Sequence, residues 1–365
     1  MKRAADLARL RTLASMGLTA EAFIPALLEA LHDIIPSDRN LFDWTDAQGQ
    51  LIRYYFEGTV DHEINQHYFE NFHNTREAEV MPAFHDAVMG RAMVHSADQL
   101  DRPEFFRSAL YNEIWRPQRL HTRTEAIVRG ARGEPLGSLV LYRGPGERKF
   151  TRAEEALLAQ IAPYVARGLQ APSAEFAQAE YVPRRGRRAI VCLDDAGTLV
   201  HLSPEALKIL LLAHGGVTPD SAARVPQRED FPTLTALWQQ HQRAAGSSPQ
   251  GPMLTVDNAW GRFTFESCAL KSLARGPDAR AMLHVTVQHH EPMDVALRRA
   301  LDGLALTPAQ KEVCLLLRTG HSQAEIAALL GVSATTVADH VRKIYSRLDV
   351  HSVQELSSLI LRLAA

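Results

Sequence analysis

Two different spacings of apolar residues divide the chain into three globular segments. In the first two segments, short alternating or continuous apolar runs are typical of strands, and longer runs with a 3.6-residue period are typical of helices. In the third segment only the helical period is present. We therefore predict an α+β multidomain protein with these parts: a mixed domain at 1–170, a linker at 171–188, a second mixed domain at 189–290, a linker at 291–300, and an all-α domain of four helices at 301–365.

The first segment contains two predicted hairpins. RNLFDWTD and LIRYYFEG (39–46 and 51–58) flank a polar turn, and TEAIVRG and LGSLVLYRG (124–130 and 136–144) flank a turn that contains Gly and Pro. HEINQHYFENFHN and RPEFFRSALYNEIW (62–74 and 102–115) are predicted helices. A closing helix should start at a capping box of Thr151 and Glu154.

The second segment opens with a predicted strand pair, AIVCLDD and TLVHLS (189–195 and 198–203). A helix should follow, with Ser203 as its N-cap and Pro204 at its first position. MLTV, RFTFESCALKS and ARAMLHVTVQHH (253–256, 262–272 and 279–290) are three further predicted strands.

Local capping signals set the boundaries of the helices in the third segment. Capping boxes are predicted for the pairs Thr307–Gln310, Ser322–Glu325 and Ser352–Glu355. Gly331 can end a helix in the left-handed conformation, and Ser333 can cap the next helix. A short turn of this kind between two helices is typical of a helix-turn-helix.

The helix after this turn is amphipathic. Its apolar stripe should pack inward against the preceding helix, and its other edge should be exposed. The stripe is Val337, Val341, Ile344 and Leu348, opposite Ile326, Leu329 and Leu330; the exposed edge is Thr335, Asp339, Arg342 and Ser346, with Ala338 and Lys343 on its margins.

The stretch LTPAQKEVCLLLRTGHSQAEIAALLGVSATTVADHVRKIYSRLDVHSVQEL resembles the LuxR-type DNA-binding domain, in LTP–EV and in EIA–LG-S–TV–H with their spacing. The resemblance implies a transcription regulator that binds double-stranded DNA as a homodimer, with the third helix in the major groove and the fourth helping to pair subunits. Two positions depart from the family pattern: Ala338 stands where a Lys is usual, and Asp349 where a Gly is usual.

The candidate DNA contacts follow from the chemistry of the exposed edge. Arg342 can contact guanine or phosphate, and Lys343 can contact phosphate. Asp339 either accepts from a cytosine amino group or pairs with Arg342 and Lys343 along the helix. The predicted DNA-binding residues are Ser322, Gln323, Thr335, Thr336, Ala338, Asp339, Arg342 and Lys343.

The first two segments resemble sensor domains, the first of the GAF type and the second of the PAS type. Thirteen of the 25 Phe, Trp and Tyr residues lie between Phe42 and Trp115. These rings are either ordinary core or the walls of a pocket for a small apolar or aromatic effector. The candidate ligand-binding residues are Tyr54, Phe56, Tyr68, Phe72, Tyr111 and Trp115, with Arg116 or His121 as polar anchor.

Composition excludes several classes of function. A formal net charge of −2 gives no bulk attraction to nucleic acid or membrane. The three cysteines have no metal-ligand spacing and are expected to be reduced, as in the cytoplasm. The histidines in HEINQH would lie about 140° apart on a helix, unlike those of HExxH proteases. We expect no metal, no cofactor, no membrane span and no enzyme activity.

The sequence therefore predicts a ligand-responsive, dimeric DNA-binding transcription regulator. The alternative is a protein-interaction regulator that pairs with another transcription factor and has little DNA affinity of its own. The alternative rests on charge, because six Lys and Arg residues in 301–365 are balanced by six Asp and Glu residues.

Overall fold

The computed structural model describes residues 2–171, 180–243, 250–271 and 282–364. The chain forms two compact units, Met1–Phe176 with Arg187–His289, and Ala177–Gly186 with His290–Ala365. The first unit contains most of two antiparallel sheets, and the second contains the C-terminal helices. The predicted α+β architecture is confirmed.

The first sheet is built from the two predicted hairpins and one short additional strand. Its strands are β1 (Arg39–Thr45), β2 (Leu51–Phe56), β3 (Val94–His95), β4 (Thr122–Arg129) and β5 (Pro135–Arg143). Their order is β2-β1-β5-β4-β3, and each neighbouring pair is antiparallel. Because side chains alternate along a strand, Phe42 and Trp44 join the core on one face, and Leu41 and Asp43 point to the other.

Helices cover both faces of this sheet. They are α1 (Lys2–Leu13), α2 (Ala20–Leu31), α3 (His62–Asn71), α4 (Phe84–Met89), α5 (Pro103–Arg107) and α6 (Arg152–Gln170). The predicted capping box of Thr151 and Glu154 is present at the start of α6. Residues of α2 and α6 pack with Phe42 and Trp44 in one apolar core.

The helix expected over residues 102–115 is interrupted. It consists of α5 and a π-helical turn at Leu110–Trp115, with extended backbone at Ser108 between them. The Ser108 hydroxyl donates to the Phe105 carbonyl at 2.7 Å and accepts from the Tyr111 amide at 3.2 Å. These local bonds compete with the regular helical bonds, which is why the helix breaks there.

The second sheet has the same strand order as the first, β7-β6-β10-β9-β8. Its strands are β6 (Tyr181–Leu193), β7 (Leu199–Leu202), β8 (Gln250–Asn258), β9 (Gly261–Leu270) and β10 (Met282–Pro292). Between β7 and β8 the chain forms α7 (Ala206–Ala213), α8 (Pro219–Ala223) and α9 (Pro232–Arg243). The predicted strand pair and the three later strands are confirmed, except that residues 272 and 279–281 lie outside the described part of the chain.

Helix α7 starts later than predicted. Ser203 does not cap it, because its hydroxyl accepts from the Ile190 amide at 3.0 Å. The helix begins at Ala206, and its N-cap residue Glu205 makes no side-chain capping bond.

Parts of both expected linkers have regular structure. Of residues 171–188, 172–179 lie outside the described residues and 181–188 belong to β6; of residues 291–300, 293–300 belong to α10 (Met293–Asp302). Two of the four arginines at positions 184–188 of the first stretch take part in ion pairs: Arg184 lies 3.7 Å from Glu291, and Arg187 lies 3.8 Å from Glu205. The domain boundaries themselves stay a prediction.

A buried lysine connects the second mixed domain to the first sheet. Lys208 on α7 is fully buried, and its ammonium group donates to the Gly58 carbonyl at 3.0 Å and to the Phe56 carbonyl. The same ammonium lies 4.3 Å from the centre of the Tyr55 ring. Strand β2 is also held by a bond of 2.9 Å from the Tyr54 amide to the Val217 carbonyl.

The C-terminal unit contains the four predicted helices and one more. They are α10, α11 (Pro308–Arg318), α12 (Gln323–Leu330), α13 (Ala334–Leu348) and α14 (Val353–Ala364). Leu297 and Leu301 of α10 join the same apolar core as Leu356 and Ile360 of α14.

Candidate nucleic-acid interface and candidate ligand cavity

The predicted capping boxes position α11 and α12. At α11, Thr307 and Gln310 exchange bonds of 3.0 and 3.4 Å between side chain and backbone. At α12, Ser322 accepts from the Glu325 amide at 3.3 Å, and Glu325 accepts from the Ser322 amide at 2.8 Å. The hydrogen bonds from Ser322 lower the pKa of Glu325.

The turn between α12 and α13 has the predicted geometry. Gly331 is left-handed at φ 65° and ψ 34°. The Ser333 hydroxyl then accepts from the Thr336 amide at 3.1 Å, which caps α13. At the other end of α13, Asp349 adopts the left-handed conformation at φ 52°. An Asp therefore serves where the family pattern has a Gly, at the steric cost of a Cβ.

Burial of one stripe fixes which edge of α13 is exposed. Val337, Val341 and Ile344 are buried, as is Ile326 on α12. Leu329 was predicted to pack inward, but it is 60% exposed. The helix α12 turns Ile326 and Ala327 to the core, and Leu329 lies on its outer side.

The predicted DNA contacts lie on the exposed surface of this unit. Seven of them are exposed and Asp339 is half-buried; the exposed ones are Ser322, Gln323, Thr335, Thr336, Ala338, Arg342 and Lys343. Two exposed apolar side chains near the turn, Leu329 and Val332, were not among the predicted contacts.

Asp339 pairs with both neighbouring cations. The Lys343 ammonium lies 2.6 Å from one carboxylate oxygen, and the Arg342 guanidinium bonds to the other. The hydrogen bonds from Lys343 and Arg342 lower the pKa of Asp339. This geometry matches one of the two interpretations of Asp339, namely pairing with Arg342 and Lys343 along the helix, which needs no partner molecule.

The first domain contains a cavity of about 130 Å³ on the sheet face that carries Leu41 and Asp43. Four of the predicted ligand-binding residues line it: Tyr54, Phe56, Tyr68 and Trp115. The other four do not line this cavity. Phe72 is buried in the core, the Tyr111 hydroxyl lies 2.8 Å from the His121 ring, and the exposed Arg116 donates to Asn112.

The cavity also contains charged residues that sequence reasoning missed: Asp43, Glu77, Arg123 and Glu125. Asp43, Glu77 and Glu125 are buried, although carboxylates rarely are. The missed signal was periodicity. Asp43 alternates with Phe42 and Trp44 in a predicted strand. Arg123 directly precedes the predicted strand 124–130 and is two residues from Glu125, so each of the three lies on the inner side of a covered sheet.

Glu77 is held by three donors. One oxygen accepts from the amides of Asn74 and Phe84, each at 2.8 Å, and the other accepts from the Tyr68 hydroxyl at 2.9 Å. Burial, followed by the nearby charge of Glu77, raises the pKa of Tyr68 well above its ordinary value. Tyr68 therefore remains a neutral donor.

Glu125 and Asp43 differ in their partners. Glu125 accepts from the Arg123 guanidinium at 2.9 Å and from the Ser138 hydroxyl. Asp43 has no side-chain hydrogen bond or ion pair within the described part of the chain. Burial, and then the charge of Glu125, raises the pKa of Asp43 well above its ordinary value.

Two capped helices joined by a short left-handed turn, the second with an exposed polar edge, define a helix-turn-helix DNA-binding domain. Residues 304–360 match the family described as bacterial regulatory proteins, luxR family. This part of the chain is a LuxR-type DNA-binding domain, which confirms the resemblance. No curated protein matches the chain.

Several solved structures resemble part of the chain, at low sequence identity and low TM-score. They include a Vibrio cholerae VqmA dimer (21% identity, 49% of this chain and 83% of that one, TM-score 0.20), the GAF3 domain of a Synechocystis protein (16%, 40% and 91%, 0.31) and the Escherichia coli DhaR(N)–DhaL complex (16%, 78% and 87%, 0.26). Likeness at this level carries no argument about function.

Among the helices that the structure describes, none has the length and apolarity to cross a bilayer. The same described residues hold no group of three His, Cys, Asp or Glu side chains placed to bind a metal ion.

The donors around Glu77 predict a stability effect. Glu77→Gln would leave one acceptor oxygen for the two backbone amides, but it would turn an NH2 group toward the Tyr68 hydroxyl, which now donates, and it would remove the negative charge from all three hydrogen bonds. We expect the free energy of unfolding to fall by about 1–3 kcal/mol. Chemical denaturation measures this, with Glu79→Gln as the matched control, because Glu79 is exposed in the same turn. Equal stability of the two variants would contradict the role assigned to Glu77.

Proposed function

We propose that the protein is a ligand-responsive transcription regulator that binds double-stranded DNA as a homodimer. The observation that carries the proposal is the exposed polar edge of α13, held outward by its buried stripe within a LuxR-type domain. In this proposal α13 enters the major groove, with Arg342 contacting guanine or phosphate and Lys343 contacting phosphate.

The helix N-termini supply the remaining contacts in this proposal. Ser322 and Gln323 open α12, and Thr335 and Thr336 lie in the first turn of α13. Backbone amides at such termini attract phosphate oxygens. Ala338 is short enough to let the helix backbone approach the groove.

Dimer formation through α14 is part of the same proposal. Leu361 and Leu363 on this helix are exposed, whereas Leu356 and Ile360 are buried in the unit's own core. A symmetric pair of domains predicts half-sites about one helical turn apart in an inverted repeat.

The sensor part of the proposal rests on the cavity. Strand β2 forms part of the cavity wall, and Lys208 bonds to its Phe56 carbonyl and Val217 to its Tyr54 amide. A ligand at Tyr54 and Phe56 would therefore act on a strand that the second mixed domain also contacts. Regulation requires that the ligand binds two arrangements of the protein with unequal affinity.

The second candidate function is a regulator that pairs with another transcription factor and has little DNA affinity. The engagement of both Arg342 and Lys343 by Asp339 favours it, because that pairing reduces the charge available to phosphates. The salt dependence of DNA binding distinguishes the two functions.

We expect the full-length protein to bind fragments selected from its own genome. With about six phosphate contacts, the logarithm of the association constant should fall with the logarithm of salt concentration with a slope of about −5. Fluorescence anisotropy over a salt series measures the slope. A slope near zero, or no binding at low salt, would favour the protein-pairing function.

Arg342→Ala should weaken binding to the selected operator by about 1–3 kcal/mol, a factor of about 5–150, if the guanidinium contacts a base. Arg132→Ala is the matched control, since Arg132 is exposed on the turn after β4, outside the C-terminal unit. Operator affinity equal to that of the control would remove Arg342 from the interface.

Asp339→Ala separates the two interpretations of this carboxylate. If Asp339 only pairs with Arg342 and Lys343, its removal frees two cations, so DNA affinity should rise and the salt slope should steepen by about one. If it accepts from cytosine, operator affinity should fall and the preference at one C·G pair should be lost. We expect the first result, because both carboxylate oxygens are already engaged.

A further inference from the structure

Asp43 is the exceptional group of the cavity. The residue is only 7% exposed, and its side chain lines the cavity and has no hydrogen-bond or ion-pair partner among the described residues. A buried carboxylate without a partner opposes folding, whether it is ionised or forced to take up a proton. An unsatisfied buried group in a native structure requires an explanation, and a ligand that supplies the missing partner is one.

The neighbouring charges do not supply the missing partner. Arg123 lines the same cavity as Asp43, but its guanidinium is bonded to the Glu125 carboxylate at 2.9 Å. His73 also lines the cavity, and burial lowers its pKa, which favours the uncharged ring. Three carboxylates, those of Asp43, Glu77 and Glu125, thus face one guanidinium, and the missing charge is positive.

The aromatic walls suit a cation as well. The hydroxyl of Tyr54 donates to Asn65 at 2.9 Å, and that of Tyr68 donates to Glu77. Both hydroxyls are therefore occupied, and what these tyrosines and Trp115 offer to a ligand is ring surface. Faces of aromatic rings attract ammonium groups as well as apolar bodies.

The volume limits the size of the ligand. A cavity of about 150 Å³ holds benzene, so the 130 Å³ available here suits a body of about one aromatic ring. Larger ligands would require the walls to move.

We propose that the cavity binds a small primary amine with an aromatic or apolar body, and that its ammonium group pairs with the carboxylate of Asp43. This inference rests on the proposed function, because it names the chemical class of the effector. It replaces the polar anchors expected from the sequence, Arg116 and His121, by Asp43. An anionic ligand is disfavoured, because it would have to displace Glu125 from Arg123.

The test compares probes of one shape and different charge on the full-length protein. Benzylamine, benzyl alcohol and benzoate are titrated by calorimetry and by thermal shift. We expect benzylamine to bind at least about tenfold more tightly than benzyl alcohol, and benzoate most weakly. This comparison on the unmodified protein does not depend on whether any variant folds.

Asp43→Asn tests the anchor itself. The variant has almost the same shape and no charge, so it should melt at the same or a higher temperature and lose the preference for the amine. Asp195→Asn is the matched control, because Asp195 is exposed on the turn after β6. The control should keep the preference.

Four outcomes would overturn the inference: equal binding of amine and alcohol, tightest binding of benzoate, a preference for the amine that survives in Asp43→Asn, or no binding of any probe. The first of these, with both compounds bound, leaves an effector cavity in place and removes only the amine. If none of the probes binds, the amine inference fails, and the DNA-binding part of the proposed function is still decided separately by the salt series without ligand.

Discussion

A carboxylate that is removed from water needs donors from the chain, and this constraint shapes the first domain. The segment from Tyr68 to Phe84 folds around Glu77, because that carboxylate takes two backbone amides and one hydroxyl from it. The same segment supplies part of the cavity wall. Glu125 meets the constraint across the sheet, through Arg123 and Ser138. Asp43 does not meet it within the described chain, and the proposed preference of the cavity for a cationic ligand rests on this.

The C-terminal domain was predictable because its determinants are local. A hydroxyl at the N-cap, an acceptor three residues later and a stripe with a 3.6-residue period are all visible within one or two turns. Thr307, Ser322 and Ser333 therefore cap the helices as predicted. Where a competing partner comes from elsewhere, the local rule fails. Ser203 had the right spacing for a cap, but the Ile190 amide on the neighbouring strand takes its hydroxyl.

The cavity was only half predictable, since it depends on contacts between distant segments. Density of aromatic residues along the chain identified Tyr54, Tyr68 and Trp115, but it equally selected Phe72, which packs in the core. The polar residues were missed because the prediction used only the number of aromatic residues and not the alternation of inward and outward side chains in β1 and β4. A charged residue on the inner side of a predicted strand was the better indicator, since a buried charge is either paired or part of a functional site.

The charge balance of the C-terminal domain bears on how such a regulator would be controlled. With as many acidic as basic residues in 301–365, one copy has little general attraction to DNA. In the proposed function the contacts that one copy makes are then few, and affinity comes from two copies that engage two half-sites at once. Simultaneous engagement is lost entirely when the geometry forbids it. A domain with weak individual binding is therefore more sensitive to a change in the arrangement of a dimer than a strongly basic one. In the proposed function, the same neutral charge balance on which the protein-pairing alternative rests is thus what allows a sensor domain to control DNA binding.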